Sequence, residues 1–127
     1  MNQILYVEDD PIIAELAVMA MVDIGGLSVR HCESGYEALE TVGRLKPDLV
    51  LLDMMMPGMD GLETLRHLRE LPEGASLPVV FMSARVQAHE QQAYREAGAS
   101  DVIPKPFDPM TLSSRLRDIW DSLQQRV

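Results

Sequence analysis

Residues 48–61 read D-L-V-L-L-D-M-M-M-P-G-M-D-G. Leu49-Val50-Leu51-Leu52 is apolar throughout and stops at Asp53. A short run of this kind, without polar alternation, is a strand covered on both faces. Pro57-Gly58 and Gly61 mark the stretch Met54 to Asp60 as a loop. Leu62 to Leu71 then sets Leu62, Leu65 and Leu68 or Arg69 at helical spacing. The unit is a buried strand, a loop opened by an acid, and a helix.

The same unit recurs on either side. Upstream, Ile4-Leu5-Tyr6-Val7 is an apolar run that ends at Glu8-Asp9-Asp10. Asp10 suits a helix cap and Pro11 a first helical turn, so a helix is predicted from there to about Asp23, stopping at Gly25-Gly26. Leu27 to Cys32 reads as a second strand, and Ser34 caps a helix that ends near Leu45. Downstream, Pro78 to Met82 is a fourth strand and Val86 to Ala97 a weaker, polar helix ended by Gly98. Asp101-Val102-Ile103 is a brief fifth strand. Asp108-Pro109 is predicted to cap a last helix with Leu112, Leu116, Ile119 and Leu123 on one face. Its end continues polar through Gln124-Gln125-Arg126.

Five strand–helix units with apolar strands predict an α/β fold: an open, doubly wound, five-stranded parallel sheet wrapped by helices on both sides. The 127 residues suffice for one domain, 1–127, and are too few for two. The net charge of −9 argues against direct nucleic-acid binding, because the surface would repel phosphate. The one cysteine, Cys32, excludes an internal disulfide and a cysteine zinc cluster. The start lacks a basic leader, and Ile12 to Val22, interrupted by Glu15, is too short to span a bilayer. A cytoplasmic protein with no membrane segment is expected.

In such folds the chemistry lies beyond the carboxyl ends of the strands. Those ends carry Glu8, Asp9 and Asp10, then Asp53, then Ser83 followed by Ala84, then Lys105 before Pro106. Three or more carboxylates, one hydroxyl and one ammonium are thus expected to converge. Clustered carboxylates need a cation. Lys105 is one, and a hard divalent ion is the other. Mg²⁺ prefers a couple of carboxylates plus waters and phosphate oxygens, which Asp9, Asp53 and Glu8 through water would satisfy. A carboxylate beside such an ion, a lysine and a hydroxyl is a nucleophile toward phosphorus.

These residues are similar to a bacterial response-regulator receiver domain, the family of the chemotaxis receiver protein. The resemblance is carried by I-L-Y-V-E-D-D-P at 4–11, D-L-V-L-L-D-M-M-M-P-G-M-D-G at 48–61, V-V-F-M-S-A at 79–84 and K-P-F at 105–107. It implies a flavodoxin-like (βα)5 fold of strand order 2-1-3-4-5. It implies that Asp53 accepts a phosphoryl group, that Asp9 binds the metal directly, and that Glu8 does so mainly through water. The Met55 carbonyl falls where the family supplies a metal ligand, Ser83 matches the switch hydroxyl, and the Ala84 backbone meets the phosphoryl group. Lys105 matches the lysine that pairs with the aspartate, before a cis Lys105-Pro106 bond. The ion would be Mg²⁺, with Mn²⁺ as a substitute. A histidine kinase or histidine phosphotransfer protein would be the donor. The sequence departs at Val102, where the family often has an aromatic residue that moves with the switch hydroxyl.

Other readings weigh less. An Mg²⁺-dependent aspartate-nucleophile phosphohydrolase would place its nucleophile after the first strand in an Asp-x-Asp arrangement, whereas these positions read Glu8-Asp9-Asp10. A phosphorylation-independent binding module would not need the full set of acids, serine and lysine. A flavin binder would be repelled by the acidic first loop. Met54, Met55, Met56 and Met59 are expected to pack beneath the loop. His31, His67 and His89 share no spacing, and Trp120 is expected to pack on the last helix. In the first helix, Ile13, Leu16, Ala17 and Ala20 are assigned to the core. Val18, Met19 and Val22 form an outer apolar face that would dock a kinase, a phosphotransfer bundle or a second copy as a homodimer.

Overall fold

The computed structural model describes residues 1–125. Five parallel strands form one sheet: β1 (Gln3–Val7), β2 (Ser28–Cys32), β3 (Leu49–Asp53), β4 (Val79–Ser83) and β5 (Asp101–Pro104). Their order is β2-β1-β3-β4-β5, the doubly wound arrangement expected of the resemblance. Five helices connect them: α1 (Pro11–Met19), α2 (Gly35–Leu45), α3 (Gly61–Glu70), α4 (Ala88–Glu96) and α5 (Leu112–Gln124). Among the described residues no helix is long and apolar enough to cross a membrane.

Side chains alternate along each strand and feed two cores, one on each face of the sheet. Leu5, Val7, Val50, Leu52, Val79, Phe81 and Val102 pack with Ala38, Val42, Leu65, Leu68 and Tyr94 from α2, α3 and α4. Ile4, Tyr6, Leu49, Leu51, Val80, Met82 and Ile103 pack with Ala14, Ala17, Leu112, Leu116 and Ile119 from α1 and α5. Continuous apolar runs in β1, β3 and β4 were the sequence signature of this two-sided burial; β2, at the sheet edge, leaves Ser28 and Arg30 exposed. The sheet reverses direction of growth between β1 and β3, which are hydrogen-bonded neighbours. Glu8 and Asp53, the residues ending or following these two strands, therefore lie side by side at the switch point.

The caps follow the sequence closely. Asp10 Oδ1 accepts from Ile12 N–H at 2.9 Å and Ile13 N–H at 3.2 Å. Ser34 Oγ accepts from Glu37 N–H at 3.1 Å. Asp60, read only as the end of a loop, caps α3 by accepting from Glu63 N–H at 2.9 Å.

Five expectations need correction. The first helix does not run regularly to Asp23: Ala20–Ile24 form a π-helical turn, with Gly25 N–H donating to the Ala20 carbonyl. Leu16 is exposed, because the buried stripe runs through Ala14, Ala17, Ala20 and Met21. Small alanines there let α1 lie close to the sheet. Val18 belongs partly to the core, while Ile12 (78% exposed), Met19, Val22 and Ile24 face solvent. The last helix starts at Leu112, not at Asp108: Asp108 Oδ1 takes Met110 N–H, and residues 109–111 form a turn first. The fourth helix begins at Ala88, where Gln87 and Glu90 exchange capping hydrogen bonds, rather than at Val86. A short 3₁₀ turn at Pro72–Gly74, unforeseen, leads into β4. Arg126, at the polar end of the last predicted helix, lies outside the described residues.

Candidate functional site

Parallel strands deliver their carboxyl ends to one edge, and Glu8, Asp9 and Asp53 arrive there with carboxylate oxygens all within 4.8 Å of one another. Lys105, directly after β5, closes the group. Its Nζ donates to Asp53 Oδ1 at 2.8 Å and to Glu8 Oε1 at 2.9 Å. The Lys105–Pro106 peptide is cis, as the resemblance implied.

Burial divides the three acids. Asp53 and Glu8 are buried, with Glu8 only 1% exposed, while Asp9 is exposed. The resemblance pairs Lys105 with the aspartate; in the structure Glu8 shares it. Burial, against the downward pull of the hydrogen bond from Lys105 and with nearby Asp53 adding to the rise, pushes the Glu8 carboxyl up to about 7. Burial works against a charged Lys105, yet its hydrogen bonds to Asp53 and Glu8 outweigh that and raise its pKa. Three carboxylates therefore face one ammonium. Taking an ion out of water costs several kcal/mol, and a single partner shared between two buried acids offsets that only in part.

The donor set is all oxygen and carries excess negative charge, with Asp9 open to solvent. It fits a hard divalent cation that keeps waters and takes one or two carboxylates, as Mg²⁺ does. Asp9, Asp53 and Glu8 are the residues that could hold it. Met55, whose carbonyl the resemblance adds to this set, lies two residues past Asp53 with its side chain turned to solvent. Met54, Met56 and Met59 are buried beneath the loop as expected, whereas Met55, expected to pack with them, is not.

Ser83 is brought to the neighbouring strand end but not into contact with the acids. Asp53 is in register with Met82, one residue before it. The Ser83 hydroxyl accepts from Arg85 N–H at 2.9 Å and lies 3.3 Å from the Tyr94 hydroxyl. Ala84 is exposed between them. Asp10 is a helix cap rather than a member of the cluster.

Several contributors were missed in the sequence. His31 Nε2 lies 2.8 Å from the Glu8 carbonyl, which only accepts, so this nitrogen carries the proton and braces the chain at Glu8. The parallel register Tyr6↔His31 sets this contact, and no spacing in the sequence signals it. Tyr6 lies in the core with its hydroxyl unpartnered among the described residues. Burial raises its pKa, and Glu8, Asp53 and Asp10 add to the rise, so the phenol stays neutral. Gly61, read as a turn glycine, is a packing glycine: a Cβ there would lie 2.7 Å from the Asp53 carbonyl oxygen and 2.8 Å from Met54 Cα.

Comparison with known proteins gives the chain a family. Residues 4–117 match the family described as the response regulator receiver domain. The chain is 42% identical over 115 residues to the response regulator MprA of Mycobacterium leprae (strain TN), covering 91% of this chain and 49% of that protein. It is 36% identical over 118 residues to the transcriptional regulatory protein CseB of Streptomyces coelicolor, covering 93% of this chain and 49% of that one. The chain thus spans about half the length of these curated relatives. Among solved structures, a putative response regulator from Chloroflexus aurantiacus superposes with a TM-score of 0.85 at 32% identity, covering 94% of this chain and 98% of that one. The chemotaxis response regulator CheY4 of Vibrio cholerae gives 0.86 at 26% identity, with the same coverage.

Proposed function

The chain belongs to the response regulator receiver domain family, and from that premise we propose that Asp53 is its phosphoacceptor and that the domain is a switch in two-component signalling. The observation that carries this reading is the Lys105 ammonium held between Asp53 and Glu8 at the strand ends, in a cluster short of positive charge. An Asp53 oxygen attacks the phosphorus of a phosphohistidine on a histidine kinase or phosphotransfer protein. The P–O bond forms as the P–N bond breaks, and the donor imidazole leaves and takes up a proton. Lys105 already touches Asp53 and lies where it can neutralise a phosphoryl oxygen as charge spreads in the transition state. Glu8, Asp9 and Asp53, with the Met55 carbonyl, would hold Mg²⁺ or Mn²⁺, which supplies the remaining positive charge. After transfer the Ser83 hydroxyl and the Ala84 N–H donate hydrogen bonds to oxygens of the phosphoryl group on Asp53.

In this reading residues 1–127 contribute one receiver domain of a cytoplasmic protein. It catalyses its own modification and slow dephosphorylation and turns over no separate substrate. Its output partner, or a second copy of the chain, would read the switched surface, with no direct contact to nucleic acid or membrane. The polar α4, which buries one residue, is the mobile element.

Intact-mass measurement after phosphoramidate and Mg²⁺ tests the reading. Wild type should gain a single phosphoryl group. Asp53→Asn, or wild type in EDTA, should gain none. An unmodified wild-type mass under these conditions would refute it, and steady release of phosphate from a phosphomonoester would favour the hydrolase instead.

A further inference from the structure

The α4 helix buries one side chain against the sheet; its other link to a strand is the exposed pair of Arg95 with Asp101 of β5, at 3.2 Å. Of its nine residues, Ala88–Glu96, only Tyr94 is buried. The ring meets Phe81 of β4 edge-on, centroids 5.3 Å apart at 71°, in the core cluster that also holds Val102. This geometry fixes the ring, while the hydroxyl reaches the end of β4. There it lies 3.3 Å from Ser83 Oγ and donates to the Arg85 carbonyl at 3.2 Å. The Arg85 N–H donates back to Ser83 Oγ at 2.9 Å, and Ser83 is 3.3 Å from the Arg85 carbonyl.

Counting protons limits what this ring of contacts can do. Ser83 and Tyr94 have one hydroxyl proton each. Within reach the Ser83 proton has two acceptors, the Tyr94 oxygen and the Arg85 carbonyl. With either one engaged, it cannot also be donated to an oxygen on Asp53. Turning Ser83 toward Asp53 breaks the link to Tyr94 and loosens the Arg85–Gln87 segment that leads into α4.

We propose that Tyr94 is the positioning residue that couples Ser83 to α4: its phenol holds the serine hydroxyl against the Arg85 segment until a phosphoryl group on Asp53 claims it. The inference deepens the phosphoacceptor reading and rests on it. The contacts are at the long end of hydrogen-bonding distance, so the coupling is small and readily reversed. Removing the phenol should shift the balance by about two- to tenfold.

The test uses beryllofluoride with Mg²⁺, a tetrahedral stand-in for the phosphoryl group, titrated calorimetrically into wild type, Tyr94→Phe, Ser83→Ala and the double variant. Tyr94→Phe keeps the ring on Phe81 and loses only the hydroxyl. It should bind beryllofluoride about two- to tenfold more tightly than wild type. In the Ser83→Ala background the same change should do nothing beyond about twofold, because the partner is gone. An equal gain in both backgrounds, or no gain in either, overturns the proposal. A second measurement needs no change at Tyr94: with ¹³C at tyrosine Cζ, beryllofluoride should shift the Tyr94 resonance in wild type and leave it in place in Ser83→Ala. A Tyr94 signal that ignores beryllofluoride in a wild type that binds it refutes the coupling alone. A wild type that does not bind it at all refutes the phosphoacceptor reading as well.

Discussion

Glu8→Gln should stabilise the metal-free protein, by an amount that depends on pH. Glu8 is 1% exposed and shares one ammonium with Asp53. Its folded pKa is about 7 against an ordinary 4.5. Between these values the folded protein holds a proton that the unfolded chain has released, so stability falls as pH rises from about 4.5 to about 7 and then levels. That interval is worth about 3 kcal/mol. Glutamine keeps an acceptor oxygen for Lys105 and cannot ionise. In EDTA at pH 8, Glu8→Gln should exceed wild type by up to about 3 kcal/mol, a shift of about 1.5 M in the urea midpoint for a slope near 2 kcal/mol/M. At pH 4.5 the two should nearly coincide. Saturating Mg²⁺ should narrow the gap at pH 8, because an ion bound by the folded state stabilises wild type more. The assay is urea unfolding followed by far-ultraviolet circular dichroism from pH 4.5 to 8. A gap that does not change with pH refutes the reasoning. A less stable Glu8→Gln at pH 8 refutes it too, by showing that the ion pair with Lys105 outweighs the cost of burial.

Two further outcomes follow from packing around the site. Gly61→Ala forces a Cβ against the Asp53 carbonyl and Met54 Cα; it should cost about 1–3 kcal/mol in urea unfolding and slow the phosphoramidate-driven mass gain, since the end of β3 must move. Arg69 spreads its guanidinium over the carbonyls of Gly74, Leu77 and Gly98, at 2.7, 2.7 and 2.8 Å. Arg69→Leu should cost about 2 kcal/mol and speed amide exchange around residues 74–77 and 98–100, while leaving the mass gain at Asp53 intact.

Where sequence and structure agree, the reason is local. The run Leu49–Leu52 is apolar because both faces of β3 are buried, and the burial of all five β3 residues bears this out. Asp10 and Ser34 are caps because a short oxygen-bearing side chain before a helix finds free N–H groups in its first turn. The acids and Lys105 were legible because a parallel sheet must bring successive strand ends to one edge. Where they part, the cause is contact between distant segments. Leu16 lost its place in the core because the buried stripe is set by how α1 lies on the sheet, which periodicity alone does not fix. His31, Gly61 and Tyr94 gained roles through strand register, close backbone approach and helix packing.

The amino-acid order by itself determined the alternation of strands and helices, the apolar cores and the identity of the charged residues that gather beyond the strands. These depend on short-range propensity and on the need to hide apolar side chains, both written along the chain. Tertiary structure alone decided that Glu8 is buried and shares Lys105 with Asp53, while Asp9 stays in water. It also decided that the Ser83 hydroxyl is engaged by Arg85 and lies against Tyr94. Desolvation and hydrogen-bond partnership depend on which atoms surround a group in space, and residues far apart in the chain supply those atoms.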